Sequence, residues 1–254
     1  MGTPVGNRKY IPRRLRFCRA SELRVVECGD APDVYCRTMP IPAHRQEIEI
    51  KLRVPDVDAL RRSLKRLRAR EITWRTYEIN TLYDTPRKDL RRRGQLIRIR
   101  IEHPAANFGK KRSNENAAAI LTYKGPIPSS RNTAKIKNHF KINDEAEVSV
   151  SGANELATIL RALGLRPAFR YEKFRTTYAL PGIPSLKIEL DETPVGIYLE
   201  LEGPVAAIDR AARLLGYGRE DYLNETYGSL YAAACRRQGR KPGDMLFPPT
   251  KKLR

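Results

Sequence analysis

The sequence predicts an α+β fold: short antiparallel strands that close into an eight-stranded β-barrel, with amphipathic helices packed on its outside. Three observations carry that prediction. Eight segments alternate apolar and polar residues with a period of two. A few others repeat apolar residues at helical spacing. No apolar run approaches the ~20 residues of a membrane-spanning helix, and 254 residues are ample for one large domain with its own core.

Taken in order, residues 1–44 show no useful periodicity and read as a disordered or weakly ordered basic extension, with Met39 a candidate start. Their first thirty residues lack the apolar stretch of a secretory signal, and four acids with few serines argue against organelle targeting. A domain over 45–238 follows. Its strands are placed at 46–53, 77–84, 95–102, 119–124, 137–149, 172–180, 185–191 and 196–202. Helices are placed at 56–69 (Val57, Leu60, Leu64 and Leu67 on one face), 153–163 (Leu156, Ile159, Leu160, Leu163), 205–215 and 224–237. Pro204 and Gly216 bracket the third helix as start and stop signals. Loops at 103–118 and 125–136 are rich in Gly, Pro, Ser and Asn and carry Lys110, Lys111, Arg112 and Arg131. The segment 239–254, with Lys241-Pro242-Gly243 and Pro248-Pro249, reads as a basic flexible tail.

The formal net charge is +20, from 49 Lys and Arg against 29 Asp and Glu, which makes a polyanion the default partner. The excess is uneven: net +8 over 45–102 and +7 over 103–142, but −2 over 143–240. A nucleic-acid coat has no need of that acidic half. Cys18, Cys28, Cys36 and Cys235 show neither zinc spacing nor a disulfide framework, which fits a reducing, cytoplasmic setting. His44, His103 and His139 lie alone in loop-like contexts and read as surface histidines.

The strands carry an unusual pattern. Side chains two apart share a face, so Glu47, Glu49, Lys51 and Arg53 oppose Ile48, Ile50 and Leu52. Likewise Arg98, Arg100 and Glu102 oppose Ile97, Ile99 and Ile101. Thr122 and Lys124, Glu145 and Glu147, Lys173 and Arg175, then Lys187, Glu189 and Asp191, and finally Tyr198, Glu200 and Glu202 repeat the arrangement. For one strand, a solvated outer face is the simpler explanation. Across nearly every strand it is not, because like charges on one face repel unless opposite charge lies between them. Charged faces turned inward would line a polar tunnel, with the helices covering the apolar faces. Basic pairs would then hold a polyanion, and paired carboxylates a hard divalent cation such as Mg²⁺ or Mn²⁺.

Glu47-Ile-Glu49-Ile-Lys51 resembles the Glu-x-Glu-x-Lys signature of the CYTH superfamily, the triphosphate tunnel metalloenzymes. Tyr83-Asp84-Thr85, Leu96-Ile-Arg98-Ile-Arg100, Thr122-Tyr-Lys124, Glu145-Ala-Glu147, Glu172-Lys173-Phe-Arg175, Glu189-Leu-Asp191 and Glu200-Leu-Glu202-Gly203 follow in the family's order over roughly 45–235. The resemblance implies an eight-stranded tunnel that binds a triphosphate with a divalent metal. By that resemblance Lys51, Arg53, Arg98, Arg100, Lys124, Lys173 and Arg175 would contact phosphate, with Lys51, Arg98 and Lys124 the candidates for a catalytic role. Glu47, Glu49, Glu145, Glu147, Asp191, Glu200 and Glu202 would form the metal-binding side. Asn143 departs from the family, which often has Arg there; Lys141 or Arg131 could supply the missing contact.

The activity implied is either that of a class IV adenylyl cyclase, making cyclic AMP and pyrophosphate from ATP, or that of a triphosphatase acting on inorganic, thiamine or nucleoside triphosphate. The spacing at 172–175 and the pattern from Ile188 to Gly203 lean toward the cyclase-like branch. A non-catalytic polyphosphate- or nucleic-acid-binding module is the rival from another class. It is the less favoured one, because stacking aromatics are few and inward acids would serve no purpose in it. The partner expected is a small-molecule triphosphate, not a membrane.

Overall fold

The computed structural model describes residues 45–108, 118–127 and 139–248. The extension 1–44, the loop residues Lys110, Lys111, Arg112 and Arg131, and the tail beyond Pro248 lie outside the described residues. The strands are β1 (Arg45–Arg53), β2 (Arg70–Asp84), β3 (Leu96–Pro104), β4 (Ala119–Gly125), β5 (Lys141–Val150), β6 (Arg166–Ala179), β7 (Lys187–Thr193) and β8 (Gly196–Glu202). They close, antiparallel throughout, in the order β1-β5-β4-β3-β2-β6-β7-β8. The helices among the described residues are α1 (Val57–Arg66), α2 (Asp89–Arg92), α3 (Ala153–Ala162), α4 (Val205–Leu214) and α5 (Tyr227–Arg237).

All eight strands read from the alternation are present, as are the four longer helices. β2 begins seven residues earlier than the alternation indicates, at Arg70. Its first six residues are exposed and pair only with β6, so no burial pattern marks them. α2 is a single turn whose backbone amides are held by the Asp84 carboxylate, too short to leave a periodic trace.

The apolar faces point outward, into the helices. Ile50 and Leu52 of β1, Ile188 and Leu190 of β7, and Leu199 and Leu201 of β8 are almost wholly buried beneath Leu60 and Leu64 of α1 and Ile208, Ala211 and Ala212 of α4. Burying each large aliphatic side chain contributes about 1.5–3 kcal/mol. On the other side, Ile99 and Ile101 of β3 pack against Ala153, Leu156, Ala157 and Leu160 of α3. That face leaves Ile159 and Leu163, expected in the core, exposed to solvent. Asp56 caps α1 by accepting from the Ala59 amide at 2.9 Å. Gly203 ends β8 at φ +152, where an added Cβ would lie 2.6 Å from the Ser185 carbonyl oxygen.

A third cluster lies at one end of the barrel, where Tyr227, Tyr231 and Cys235 of α5 meet Tyr171, Tyr198 and Met245. Single bridges tie this end together. Lys51 and Leu223 exchange backbone hydrogen bonds at 2.9 and 2.8 Å, just past the end of β5 on that edge of β1. Met245 does the same with Arg170 and Glu172, where β7 no longer covers β6. The expectation of an unpacked segment from Gly239 is therefore corrected as far as Pro248. Met245 is fully buried, and Phe247 packs on Phe108 and Phe174 at 5.7 and 5.1 Å. Open strand edges have unmet hydrogen-bonding groups, and this segment meets them. None of the helices among the described residues is long and apolar enough to cross a membrane.

Candidate functional site

The barrel encloses a cavity of about 1070 Å³ whose walls are the charged strand faces. β1 contributes Glu47, Glu49 and Lys51; β3 contributes Arg98, Arg100 and Glu102; β4 contributes Lys124. Lys141, Asn143, Glu145 and Glu147 come from β5, Lys173 and Arg175 from β6, Lys187 and Glu189 from β7, and Glu200 and Glu202 from β8. The two-residue repeat of each strand, combined with helices on the outside, is sufficient to aim all of them inward.

Two of the residues singled out from the sequence stand elsewhere. Arg53 is exposed, its guanidinium 5.1 Å from the centre of the Tyr198 ring. Asp191 is fully buried and does not line the cavity. It accepts from Arg175 at 2.6 Å, from Lys173 at 3.0 Å and from the Tyr227 hydroxyl at 2.6 Å.

Arg175 is the centre of one wall. Besides Asp191 it pairs with Glu189 and Glu200, and lies 3.7 Å from Glu78. Lys173 reaches Glu78 at 3.4 Å, and Lys51 bridges Glu200 at 3.0 Å and Glu49 at 3.2 Å. Burial pushes the Glu78 carboxyl up, but Lys173 and Arg175 outweigh it and hold its pKa at about 2. Glu49 and Glu200 are likewise held below the usual carboxylate range, burial being overcome by Lys51 together with Lys141 for the first and Arg175 for the second. Burial also lifts Glu189, and Arg175 and Lys187 only partly offset it.

The opposite wall is looser. Arg98 donates to the Tyr171 hydroxyl at 3.3 Å, to Thr122 at 3.1 Å and to Glu147 at 3.3 Å. Arg100 lies 3.0 Å from Glu102 and 3.6 Å from Glu147, both half-exposed carboxylates. The buried Arg98 Nε and Asn143 Nδ2 have no hydrogen-bond partner among the described residues. Lys124 donates to Glu47 at 2.6 Å and lies 3.2 Å from Glu145. Burial, together with the neighbouring Glu49, nevertheless pushes the Glu47 carboxyl up to about 7.

That crowding of Glu47, Glu49 and Glu145 is the feature that fits a cation. Carboxylates are hard oxygen donors, and Mg²⁺ needs only one or two of them alongside waters and phosphate oxygens. In the present arrangement lysines and arginines take those oxygens, and among the described residues no three Asp, Glu, His or Cys side chains enclose an ion position. The donor set suits Mg²⁺ or Mn²⁺: Glu47 and Glu49 share a face of β1, and on β8 Glu202 lies opposite Glu49 and Glu200 opposite Lys51.

Several residues of the site escaped the sequence reading. Glu78 belongs to a Glu-x-Asn pair on β2 whose charge alternation is too short to register. Tyr171 follows the same two-residue face as Lys173 and Arg175 and could have been found there. Tyr227 is on a helix, and its packing against the barrel is legible while its reach to Asp191 is not.

The model of the CYTH domain family matches residues 45–227. Among solved structures, a candidate adenylate cyclase from Vibrio parahaemolyticus is similar with a TM-score of 0.58 at 17% identity, over 73% of this chain and 97% of that one. Two Pyrococcus horikoshii proteins are similar with TM-scores of 0.54 and 0.52 at 22% and 23% identity. They cover 71% and 72% of this chain, and 95% and 98% of their own. At these identities the likeness is one of fold. No curated protein matches the sequence.

Proposed function

The chain belongs to the CYTH domain family, and from that premise we propose that it is a divalent-metal-dependent enzyme acting on a triphosphate held inside the barrel. The observation that carries this reading is the enclosed cavity whose walls set basic side chains against carboxylates. A short polyphosphate needs the first, and a cation bridging to it needs the second.

In this reading Arg98 and Arg100 take the phosphate oxygens, since their carboxylate partners Glu147 and Glu102 are half-exposed and free to exchange, and Lys124 joins them from β4 by giving up Glu47 and Glu145. Lys51 is kept cationic by Glu200 and Glu49 despite its burial and adds charge from the other wall. Lys173 and Arg175 act mainly by holding Glu200 and Asp191 in place. Glu47, Glu49, Glu200 and Glu202 would hold Mg²⁺ or Mn²⁺, which when bound neutralises phosphate charge and orients the chain of phosphates. Glu145 and Glu147 position Lys124 and Arg98. Catalysis would consist chiefly of positioning and electrostatic stabilisation of the phosphoryl oxygens.

The reaction proposed is that of a class IV adenylyl cyclase. The ribose 3′-hydroxyl loses its proton to solvent as its oxygen bonds to the α-phosphorus, the bond from that phosphorus to the oxygen bridging to the β-phosphate breaks, and pyrophosphate leaves. The test is to incubate the protein and Mg²⁺ or Mn²⁺ with ATP, thiamine triphosphate and inorganic triphosphate, and to separate every product. Cyclic AMP with pyrophosphate is the expected outcome. Orthophosphate release would make the protein a triphosphatase, and no turnover of any of the three would overturn the enzyme reading.

A further inference from the structure

The cations on the strand faces that line the barrel are matched by carboxylates, so they do not explain a net charge of +20. A large share of the excess stands on one outer surface, formed by α1 and the start of β2. Residues 61–70 hold six arginines and lysines and no acid. Leu60 and Leu64 fix the apolar side of α1 against the core, so the helical repeat turns Arg62, Lys65 and Arg66 to solvent. Arg68 follows the helix at φ +56, where glycine or asparagine is usual, and Arg70 opens β2. Acids do little to neutralise this track. Asp58 and Asp56 approach Arg61 and Arg62 only at 3.7 and 3.8 Å, between exposed side chains whose pairing counts for little in water. Lys65, Arg66, Arg68 and Arg70 form no ion pair among the described residues.

The track leads to Trp74, the single tryptophan of the chain, which is 83% exposed. Burial would favour so large a ring, so its exposure has a local cause. β2 loses register against β6 between Thr73 and Thr76, and the extra residue turns Trp74 away from the cavity that Thr73 and Thr76 line. The bulge is held stiffly. The Thr76 hydroxyl donates to the Trp74 carbonyl at 2.8 Å. Arg75 donates to Glu192 at 2.7 and 2.8 Å, with its guanidinium 3.6 Å from the centre of the Phe174 ring. The indole is thus a flat platform on a fixed backbone. Four strand residues place it about 13 Å from Arg70 along β2.

We propose that this surface binds a single strand of nucleic acid, with the cations of α1, Arg68 and Arg70 following its phosphates and Trp74 stacking on one base. It is a second binding surface, outside the barrel, and does not rest on the function proposed above. A row of unpaired cations supplies the sequence-independent attraction for a phosphate backbone. An exposed ring on a fixed backbone accepts the face of any base. A duplex keeps its base faces within its own stack, so it offers the ring nothing. A lipid surface fits less well, because insertion needs a continuous apolar face and the apolar residues of α1 are committed to the core.

The test follows 5′-hydroxyl oligothymidylate and oligouridylate, which bring no triphosphate to the barrel, by fluorescence anisotropy with the full chain over a series of salt concentrations. Saturable binding is expected, and the tighter of the two strands identifies the partner as DNA or RNA. Trp74→Ala should weaken binding at least about fivefold at every salt concentration, the scale of one lost stacked base, with the salt slope unchanged. A variant carrying Arg62→Gln, Lys65→Gln and Arg66→Gln should flatten the slope of log affinity against log salt by about 0.7 for each phosphate contact removed. Arg98→Gln, inside the barrel, should bind like the unaltered protein. Unchanged denaturation midpoints, expected because all four surface side chains are exposed, report that the surface variants are folded. The surface is overturned if the unaltered protein binds neither strand, if either surface variant binds undiminished, or if Arg98→Gln weakens binding as much as they do. Equal affinity for the duplex of the same sequence also overturns it. So does Trp74-dependent binding to phosphatidylserine vesicles, which would mark a membrane contact instead.

Discussion

The two walls of the barrel interior carry the same residue types and differ in how those residues are committed. On the β6–β7–β8 wall, Arg175 is surrounded by Glu78, Glu189, Asp191 and Glu200, with every member of the group nearly inaccessible to water. On the β3–β4–β5 wall, Arg98 and Arg100 share Glu147, whose side chain is 38% exposed, and Arg98 keeps an unpartnered Nε. Desolvated charges are stable only while their partners remain, whereas half-exposed pairs exchange partners cheaply. The first wall is therefore a framework and the second a binding surface, although a list of basic residues makes them look alike.

Substitutions can break or sharpen that contrast. The largest effect is expected on the framework: Arg175→Met leaves four carboxylates facing one another and should cost about 3–5 kcal/mol of folding stability, read by denaturant titration. Arg98→Gln should do the reverse. Turnover should fall about 10²–10³-fold, as for loss of one preorganised donor, while the denaturation midpoint stays close to that of the unaltered protein. If Arg98→Gln unfolded the protein and Arg175→Met did not, the assignment of the walls would be inverted.

A comparable cost is expected where the chain packs under α5, since Met245→Ala removes a fully buried side chain and should lower stability by about 2–5 kcal/mol. Acid should also weaken the framework. Glu78 is held at about 2 when folded, below the ~4.3 of an unperturbed glutamate. It therefore contributes stability above that value, which is lost as pH falls from ~4.3 toward about 2. A stability–pH profile of Glu78→Gln should lack that part of the acid-side decline. The smallest effect is expected on α1, where Arg61 and Lys65 are exposed. Replacing both by Gln should change stability by no more than about 0.5 kcal/mol and leave turnover unchanged, because that charge stands outside the barrel.

The contrast also shows what could be read before the structure. The period-two pattern identifies which face a residue is on, so the eight strands and the inward turn of Glu47, Glu49, Arg98, Lys124 and Glu200 were legible. It does not report depth along the strand or the strength of pairing. Asp191 shares a face with Glu189 yet lies behind the cavity, and Arg53 shares one with Lys51 yet reaches solvent beyond it. Depth is set by barrel register, which appears only when strands are paired. The role of Met245 was hidden for a related reason, since a single bridging residue leaves no periodic signature.

The most direct test of the account is a calorimetric titration of inorganic tripolyphosphate with Mg²⁺ into the unaltered protein and into a variant carrying both Arg98→Gln and Lys124→Gln. The account predicts saturable binding to the first and loss of at least about 100-fold in affinity in the second, on the scale of two charge-assisted contacts, with thermal stability retained. Undiminished binding in a folded double variant would contradict it, because the phosphates would then be held somewhere other than the loose wall of the barrel.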